Sequence, residues 1–252
     1  MSLLETKGET MSKKNYTHIV VVLDRSGSMS IICKDMRSGF DQFVEDQKKV
    51  EGEATLTLAQ FDDTYEIVHD NIAIASVSKL NLEPRGSTAL LDAMGRTLST
   101  ERDRINKMEE SEAPEKVVVV IITDGEENAS KEYSRSRVFD MIKDLDSNED
   151  PQWSFVFLGA NQDAISAGGN IGVRASASMT YDYSSNGTKS AYASLSKGMT
   201  SLRCCTSKSA KYEFDDEDRA IQEDLLKGVD KKFNKSIPTS ISDMIDRNDD
   251  KV

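Results

Sequence analysis

The sequence predicts an α/β protein: a mostly parallel sheet, doubly wound, with helices on both faces. Two near-continuous apolar runs, "THIVVVLD" (17–24) and "VVVVII" (117–122), suit strands buried on both sides. Between and after them, stretches of helical periodicity alternate with further extended runs. No internal repeat competes with that reading.

The elements follow in order. "THIVVVLD" is the first strand. Residues 35–50 place Met36, Phe40, Phe43, Val44 and Val50 at roughly helical spacing. "EATLTLAQFDD" (53–63) alternates through Leu56 and Leu58 as a strand, and Asp62 and Asp63 read as the turn that follows. "TYEIVHD" (64–70) and "IAIASV" (72–77) are short extended pieces. Pro84 and Gly86 break "NLEPRGST" (81–88) into loop. A long helix follows over 89–109, its stripe made by Leu90, Leu91, Met94, Leu98 and Ile105. "EKVVVVIITDGEEN" (115–128) is a second buried strand running into Asp124-Gly125. Then come a helix over 131–147, a core strand over 153–160, a short helix over 162–172, a last strand over 176–182 and a last helix over 184–205.

Three units are expected: a loose leader (1–15), a folded domain (16–203) and a charged, partly helical C-terminal extension (204–252). In the extension Ile221, Leu225, Leu226 and Val229 fall on one helical face, and Ile241, Met244 and Ile245 on a shorter one. Such faces either pad the domain or dock into a partner groove, and an Asp- and Glu-rich tail can also fold back over a site in cis.

Composition narrows the function. A net charge of −12 argues against a nucleic-acid backbone as partner. Three cysteines, two of them adjacent, do not make a disulfide framework. His18 and His69 are the only histidines, too few for a typical zinc site. The first residues lack an apolar core of signal-peptide length, and no apolar run is long enough to cross a bilayer. The expectation is a cytoplasmic monomer with no membrane partner.

The chemistry lies in "VVVLDRSGSMS" (20–30), where a strand ends in one carboxylate and two hydroxyls. Alternate residues of an extended segment share a side, so Asp24, Ser26 and Ser28 can face one point, with Gly27 letting the chain bend around it. In open parallel sheets ligands sit beyond the carboxyl ends of the strands, where Asp124 also ends a run. Oxygen donors of this kind suit Mg²⁺, Mn²⁺ or Ca²⁺. Without a cation, two converging carboxylates repel and one tends to keep its proton.

The pattern "DRSGS" resembles the Asp-x-Ser-x-Ser signature of the von Willebrand factor A (VWA) domain and its metal-ion-dependent adhesion site (MIDAS). The resemblance extends to Thr88 in "GSTALLDAM" and to Asp124 in the family's Thr-Asp-Gly, so Asp24, Ser26, Ser28, Thr88 and Asp124 fill all the positions. Intracellular and phage-borne members are the nearer type, because signal peptide and closing disulfide are lacking. The resemblance implies a Rossmann-like sheet of about six strands with one antiparallel edge, for which "TYEIVHD" is the candidate. It implies an ion held by the hydroxyls of Ser26, Ser28 and Thr88 directly or through water, with one or both aspartates on the ion or its waters. It implies a partner protein whose Asp or Glu supplies a remaining ligand, and hence an adaptor.

Neighbouring residues have plainer readings beside functional ones. Thr88 can also cap the helix after it. Arg25 either points to solvent beside the ion or, as the favoured reading has it, pairs with Glu126 or Glu127. Glu126, Glu127 and Asn128 either form a plain solvated loop or, lying near the ion in sequence, tune it or select partners. Asn161 and Asp163 either line the rim or cap a helix. Two other classes compete. One is a scaffold that the ion only braces, with partner binding left to the C-terminal extension. The other is a phosphoryl-transfer enzyme similar to the haloacid-dehalogenase-like group, whose pattern has a second Asp two residues after the first as acid/base; Ser26 stands there. No Gly-x-Ser-x-Gly elbow and no phosphate loop is present, so no catalysis is expected.

Overall fold

The computed structural model describes residues 12–160, 162–207 and 209–234, with side chains as far as 227. The strands are β1 (Lys13–Asp24), β2 (Glu53–Phe61), β3 (Tyr65–Ala73), β4 (Pro114–Thr123), β5 (Gln152–Ala160) and β6 (Ser178–Tyr181). The helices are α1 (Cys33–Lys48), α2 (Leu90–Ile105), α3 (Arg135–Asp146), α4 (Ala164–Asn170), α5 (Ser185–Cys204) and α6 (Asp216–Asn234).

The strands form one six-stranded sheet in the order β3-β2-β1-β4-β5-β6. All neighbours run parallel except β3, the antiparallel edge strand predicted from "TYEIVHD". The chain leaves β1 for β2 on one side and later returns to β4 on the other. The carboxyl ends of β1 and β4 therefore border the switch point, where open α/β sheets bind ligands. Their register pairs Leu23 with Ile122, which brings Asp24 beside Thr123 and Asp124 just beyond.

Hydrophobic burial drives this arrangement. Ile19 to Leu23 and Val117 to Ile122 are all at most 1 % exposed, so both sides of these strands are covered by helices. α1 packs on α5, and α2 on α3. The amphipathic stripe of α1 delivers Met36, Phe40 and Phe43 to the core. Glycines allow two of the close contacts: a Cβ at Gly39 would strike the Tyr192 ring, and one at Gly95 the Tyr133 ring.

The β2–β3 pairing is irregular. Its register shifts twice, between Leu56 and Leu58 and between Leu58 and Ala59, and Asn71 takes a left-handed conformation. "IAIASV" is extended only at its start; β3 ends at Ala73 and Ile74–Ser76 is a helical turn.

The packed unit extends beyond 16–203 at both ends. β1 starts at Lys13. Tyr212 and Phe214 are buried with their rings edge to face at 5.0 Å, and the Phe214 amide donates to the Ser176 carbonyl at 2.9 Å. Each such ring contributes about 2 kcal/mol by burial. α6 docks through polar groups rather than the expected apolar face. Gln222 accepts from the Asp182 amide and donates to the Gly187 carbonyl at 3.1 Å each, and Arg219 donates to the carbonyls of Ala175, Ser176 and Ser178. Asp218 and Gln222 are buried, Leu225 and Leu226 are half-buried, and Ile221 is 43 % exposed. The Val229 side chain, the face at Ile241, Met244 and Ile245, and the leader before Ser12 lie outside the described residues.

Candidate metal centre

β1 carries Asp24 to its last position, where the side chain is fully buried. One carboxylate oxygen accepts from the Ser26 amide at 2.6 Å, and the other from the Thr123 hydroxyl at 2.6 Å. The first bond closes the turn that follows the strand; the second locks it to β4. Burial pushes the Asp24 carboxyl up to about 6, aided by the charge of Asp124 and opposed by the bonds from Thr123 and Ser26.

The turn then presents its hydroxyls. Ser26 Oγ and Ser28 Oγ lie 3.0 Å apart, and Ser28 Oγ donates to Asp124 Oδ1 at 2.7 Å. Because the Ser28 proton is committed to Asp124, Ser26 donates to Ser28. Burial raises the Asp124 carboxyl as well. Thr88 is held on both sides of its peptide by Asn128, whose side chain accepts from the Thr88 amide at 3.0 Å and whose amide donates to the Thr88 carbonyl at 3.1 Å. A Cβ built on Gly125 would sit 3.2 Å from Thr88 Oγ1 and 3.8 Å from Ser28 Oγ, so both hydroxyls face the space that this glycine leaves open. Asp24, Ser26 and Thr88 are buried, Asp124 is half-buried and Ser28 is exposed, so the centre opens to solvent at Ser28 and Asp124. The five residues singled out by sequence thus meet at one place.

Several neighbours behave differently from expectation. Arg25 is only 6 % exposed and turns away from Glu126 and Glu127. Its guanidinium donates to Asp62 (2.9 Å), Glu66 (2.5 Å) and Thr64 (3.1 Å). Asp62 is more than a turn residue: it also accepts from Arg85 at 2.8 Å and from the amide and hydroxyl of Thr64, and its carbonyl accepts from the Ala89 amide at 3.0 Å. This fully buried carboxylate bolts the 24–28 turn to the loop that carries Thr88, an attachment completed where the Gly27 amide meets the Gly86 carbonyl.

Thr88 does not cap α2, whose cap position is Ala89 with no side-chain bond. Instead Glu127 accepts from the Leu91 amide at 2.9 Å, and Ser130 Oγ from the Asp92 amide at 3.0 Å. Glu127 also holds the amides of Ala129 and Ser130 and the Ser130 hydroxyl, so it braces a loop rather than lining the ion. Asp92 returns the contact by accepting from the amides of Lys131, Glu132 and Tyr133, and these bonds outweigh burial and lower its carboxyl. Asp163 caps α4 by accepting from the Ser166 amide; Asn161 lies outside the described residues. His18 is buried in β1 and hydrogen-bonds Glu101 at 3.1 Å, away from the centre.

One residue at the centre escaped the sequence reading. Tyr183, in the loop after β6, shares its one hydroxyl proton between Asp124 Oδ2 at 3.0 Å and the Ser28 carbonyl. Both carboxylate oxygens of Asp124 are therefore engaged by hydroxyls. No spacing rule links a residue after a four-residue strand to one after β4, so the signal was absent from the sequence.

The donor set fits a hard divalent ion. It consists of two carboxylates and three hydroxyls, all oxygen. Among the described residues no group of three or more His, Cys, Asp or Glu side chains is placed to hold a metal, so softer metals find no such cluster.

No protein-family model matches the sequence, and no curated protein matches it. Solved structures similar to the chain include the pilus adhesin SpaC from Lactobacillus rhamnosus GG, at 14 % identity and a TM-score of 0.55 over 75 % of this chain and 31 % of that one. Proximal thread matrix protein 1 from the mussel byssus, in a structure with a zinc-occupied MIDAS motif, is similar at 17 % identity and a TM-score of 0.51, over 76 % of this chain and 46 % of that one. The ArnB paralog VWA2 from Sulfolobus acidocaldarius has 15 % identity and a TM-score of 0.48, over 74 % and 46 %. The chain spans less than half the length of each. At these identities the likeness is one of fold, and the architecture is the Rossmann-like VWA fold, a six-stranded and mostly parallel sheet.

Proposed function

We propose that the chain is a divalent-cation-dependent protein-binding module that captures a carboxylate of its partner. Asp24, Ser26, Ser28, Thr88 and Asp124 would hold the ion. When bound, the ion supplies a Lewis-acidic centre that draws an Asp or Glu of the partner. The chain's own residues do the rest. Asp24 fixes the turn through Ser26 and Thr123. Asn128 fixes Thr88. The oxygen chain from Ser26 through Ser28 to Asp124, open to solvent at Ser28 and Asp124, is the observation that carries the reading.

A scaffold that the ion only braces is less well supported. The loops around the centre are already tied by Asp62, Asn128 and the Asp92–Glu127–Ser130 set, so an ion has little left to brace. An enzymatic reading lacks the second Asp two residues after Asp24, where Ser26 stands, and His18 is engaged with Glu101. Within this proposal the preferred ion is Mg²⁺, and Mn²⁺ and Ca²⁺ also suit the donors. The role is an adaptor of the intracellular, phage- or bacterial-type group, non-catalytic, cytoplasmic and monomeric.

The test is calorimetric titration of the full chain with Mg²⁺, Mn²⁺ and Ca²⁺, beside Thr88→Ala. Wild type should bind one ion and the variant should bind at least tenfold more weakly, about 1.4 kcal/mol. Partner capture that survives EDTA and Thr88→Ala alike would overturn the reading.

A further inference from the structure

Beside the metal centre lies a cavity of about 280 Å³, which shares Gly125 as a wall. Its inner side is apolar: Leu90 and Leu91 from the start of α2, Phe157 from β5 and Ile171 after α4, all at most 7 % exposed. Its polar side carries the carboxylates of Glu126, Glu127 and Asp163 against the single guanidinium of Arg135. Three negative groups and one positive leave the wall with a formal charge of −2. Glu127 accepts from the backbone amides of Leu91 and Ser130. Glu126 is exposed, and among the described residues it enters no ion pair. Glu127 and Asp163 are already bonded within the loop and at the start of α4, which leaves Glu126 at the rim and the apolar wall behind it without a part in those bonds.

We propose that this cavity receives a lysine or arginine side chain of the partner, lying close in sequence to the carboxylate that meets the ion. The inference rests on the proposed function and sharpens it: the partner is read by an acidic and a basic residue together. Lysine and arginine bury aliphatic stems against apolar walls and keep their charged heads at a polar rim. The cavity offers that sequence of surfaces, Leu91 and Phe157 within and Glu126 and Asp163 outside. An uncharged apolar side chain would leave Glu126 without a partner, and an acidic one would face a wall of net negative formal charge. The chain's overall charge of −12 also draws a basic partner toward it. Because the cavity adjoins Gly125, and each extended residue spans roughly 3.5 Å, the two partner residues lie within about three positions of each other.

The experiment is selection of random displayed 12-residue peptides on the full chain in Mg²⁺, with elution by EDTA. The best peptide is then titrated against wild type, Glu126→Lys and Ala167→Phe. Neither substitution touches an ion donor. One reverses the charge of the wall and the other fills the cavity. The expected result is enrichment of Asp or Glu with Lys or Arg at a fixed spacing. Replacing that basic residue by Ala should weaken the peptide at least tenfold on wild type and leave it unaffected on Glu126→Lys. Both variants should still titrate Mg²⁺ as wild type does. Peptides that carry the acid with no basic preference would overturn the cavity proposal alone, and a chain that binds Mg²⁺ yet selects no Mg²⁺-dependent peptide would overturn both the cavity proposal and carboxylate capture at the ion. A wild type that binds no divalent ion would remove the metal reading and this proposal with it.

Discussion

The Tyr183 hydroxyl donates to the Asp124 carboxylate at 3.0 Å, joining the loop after β6 to the loop after β4. The second oxygen of the same carboxylate accepts from Ser28. A cation that uses Asp124 must displace one of these bonds or share its oxygen.

Tyr183→Phe should therefore tighten divalent-ion binding. A hydrogen bond to a charged group is worth about 1.5 kcal/mol at the lower end, so the gain reaches roughly tenfold. Calorimetry against wild type decides it; an unchanged or weaker affinity would show that the tyrosine supports the ion instead of competing with it.

Gly125→Ala should separate binding from folding. The added Cβ would come within 3.2 Å of Thr88 Oγ1, close enough to crowd the donors, and no backbone of a neighbouring element lies nearer. Ion affinity should drop by about tenfold, ~1.4 kcal/mol. The melting temperature in EDTA should move by less than about 3 °C, the equivalent of ~1 kcal/mol in a chain of this size. A large loss of stability with intact ion binding would contradict this.

Asp62→Asn should damage both. It leaves Arg25 and Arg85 without their shared carboxylate, at a cost of about 3 kcal/mol, or roughly 6 to 12 °C of melting temperature. Ion binding should weaken because the turn and the Thr88 loop lose their common anchor.

Asp62 also makes a pH prediction. Burial pushes its carboxyl up, but the Thr64 hydroxyl, Arg85, the Thr64 amide and Arg25 outweigh that and hold it down at about 2. The ordinary Asp value is about 3.9. A lowered carboxyl stabilises the fold above its unfolded value, and the contribution is lost as pH falls through the folded one. Urea unfolding from about pH 5 down to 2 should show a steeper loss in wild type than in Asp62→Asn; parallel profiles would refute the assignment.

Glu101→Gln serves as the contrast. Glu101 bonds the buried His18 at 3.1 Å and Arg104 at 3.1 Å, and both partners outweigh the effect of burial and lower its carboxyl. Its loss should cost about 2 kcal/mol, near 4 to 8 °C. Ion affinity at 25 °C should stay within twofold, since His18 lies six positions before Asp24 on β1.

Much of this architecture is legible because burial writes itself into residue type. "VVVVII" has one physical reading, and the strands and the shared side of Asp24, Ser26 and Ser28 follow from patterns local to each segment, whereas the antiparallel edge and the joining of Thr88 and Asp124 to that point are implied by the resemblance of the motifs to the VWA signature. The errors share another cause. Arg25 finds Asp62 only because β1 and β2 pair Asp24 with Phe61, a register no local pattern states. Tyr183 and Asp124 meet only because β6 lies beside β5. α6 was read by its apolar stripe, yet it seats itself on the Asp182 amide and the Gly187 carbonyl, to which hydrophobic periodicity is blind.

The broken register of β3 protects the molecule from its own kind. An open edge strand invites another chain to add to the sheet. Here no more than three consecutive residue pairs, Tyr65 to Ile67 against Phe61 to Ala59, stay in step before the ladder shifts. A docking strand would lose its hydrogen bonds after the same short run, while at the opposite edge Arg219 and Gln222 already occupy backbone groups at both ends of β6. Both borders are thereby shortened as templates for an added strand.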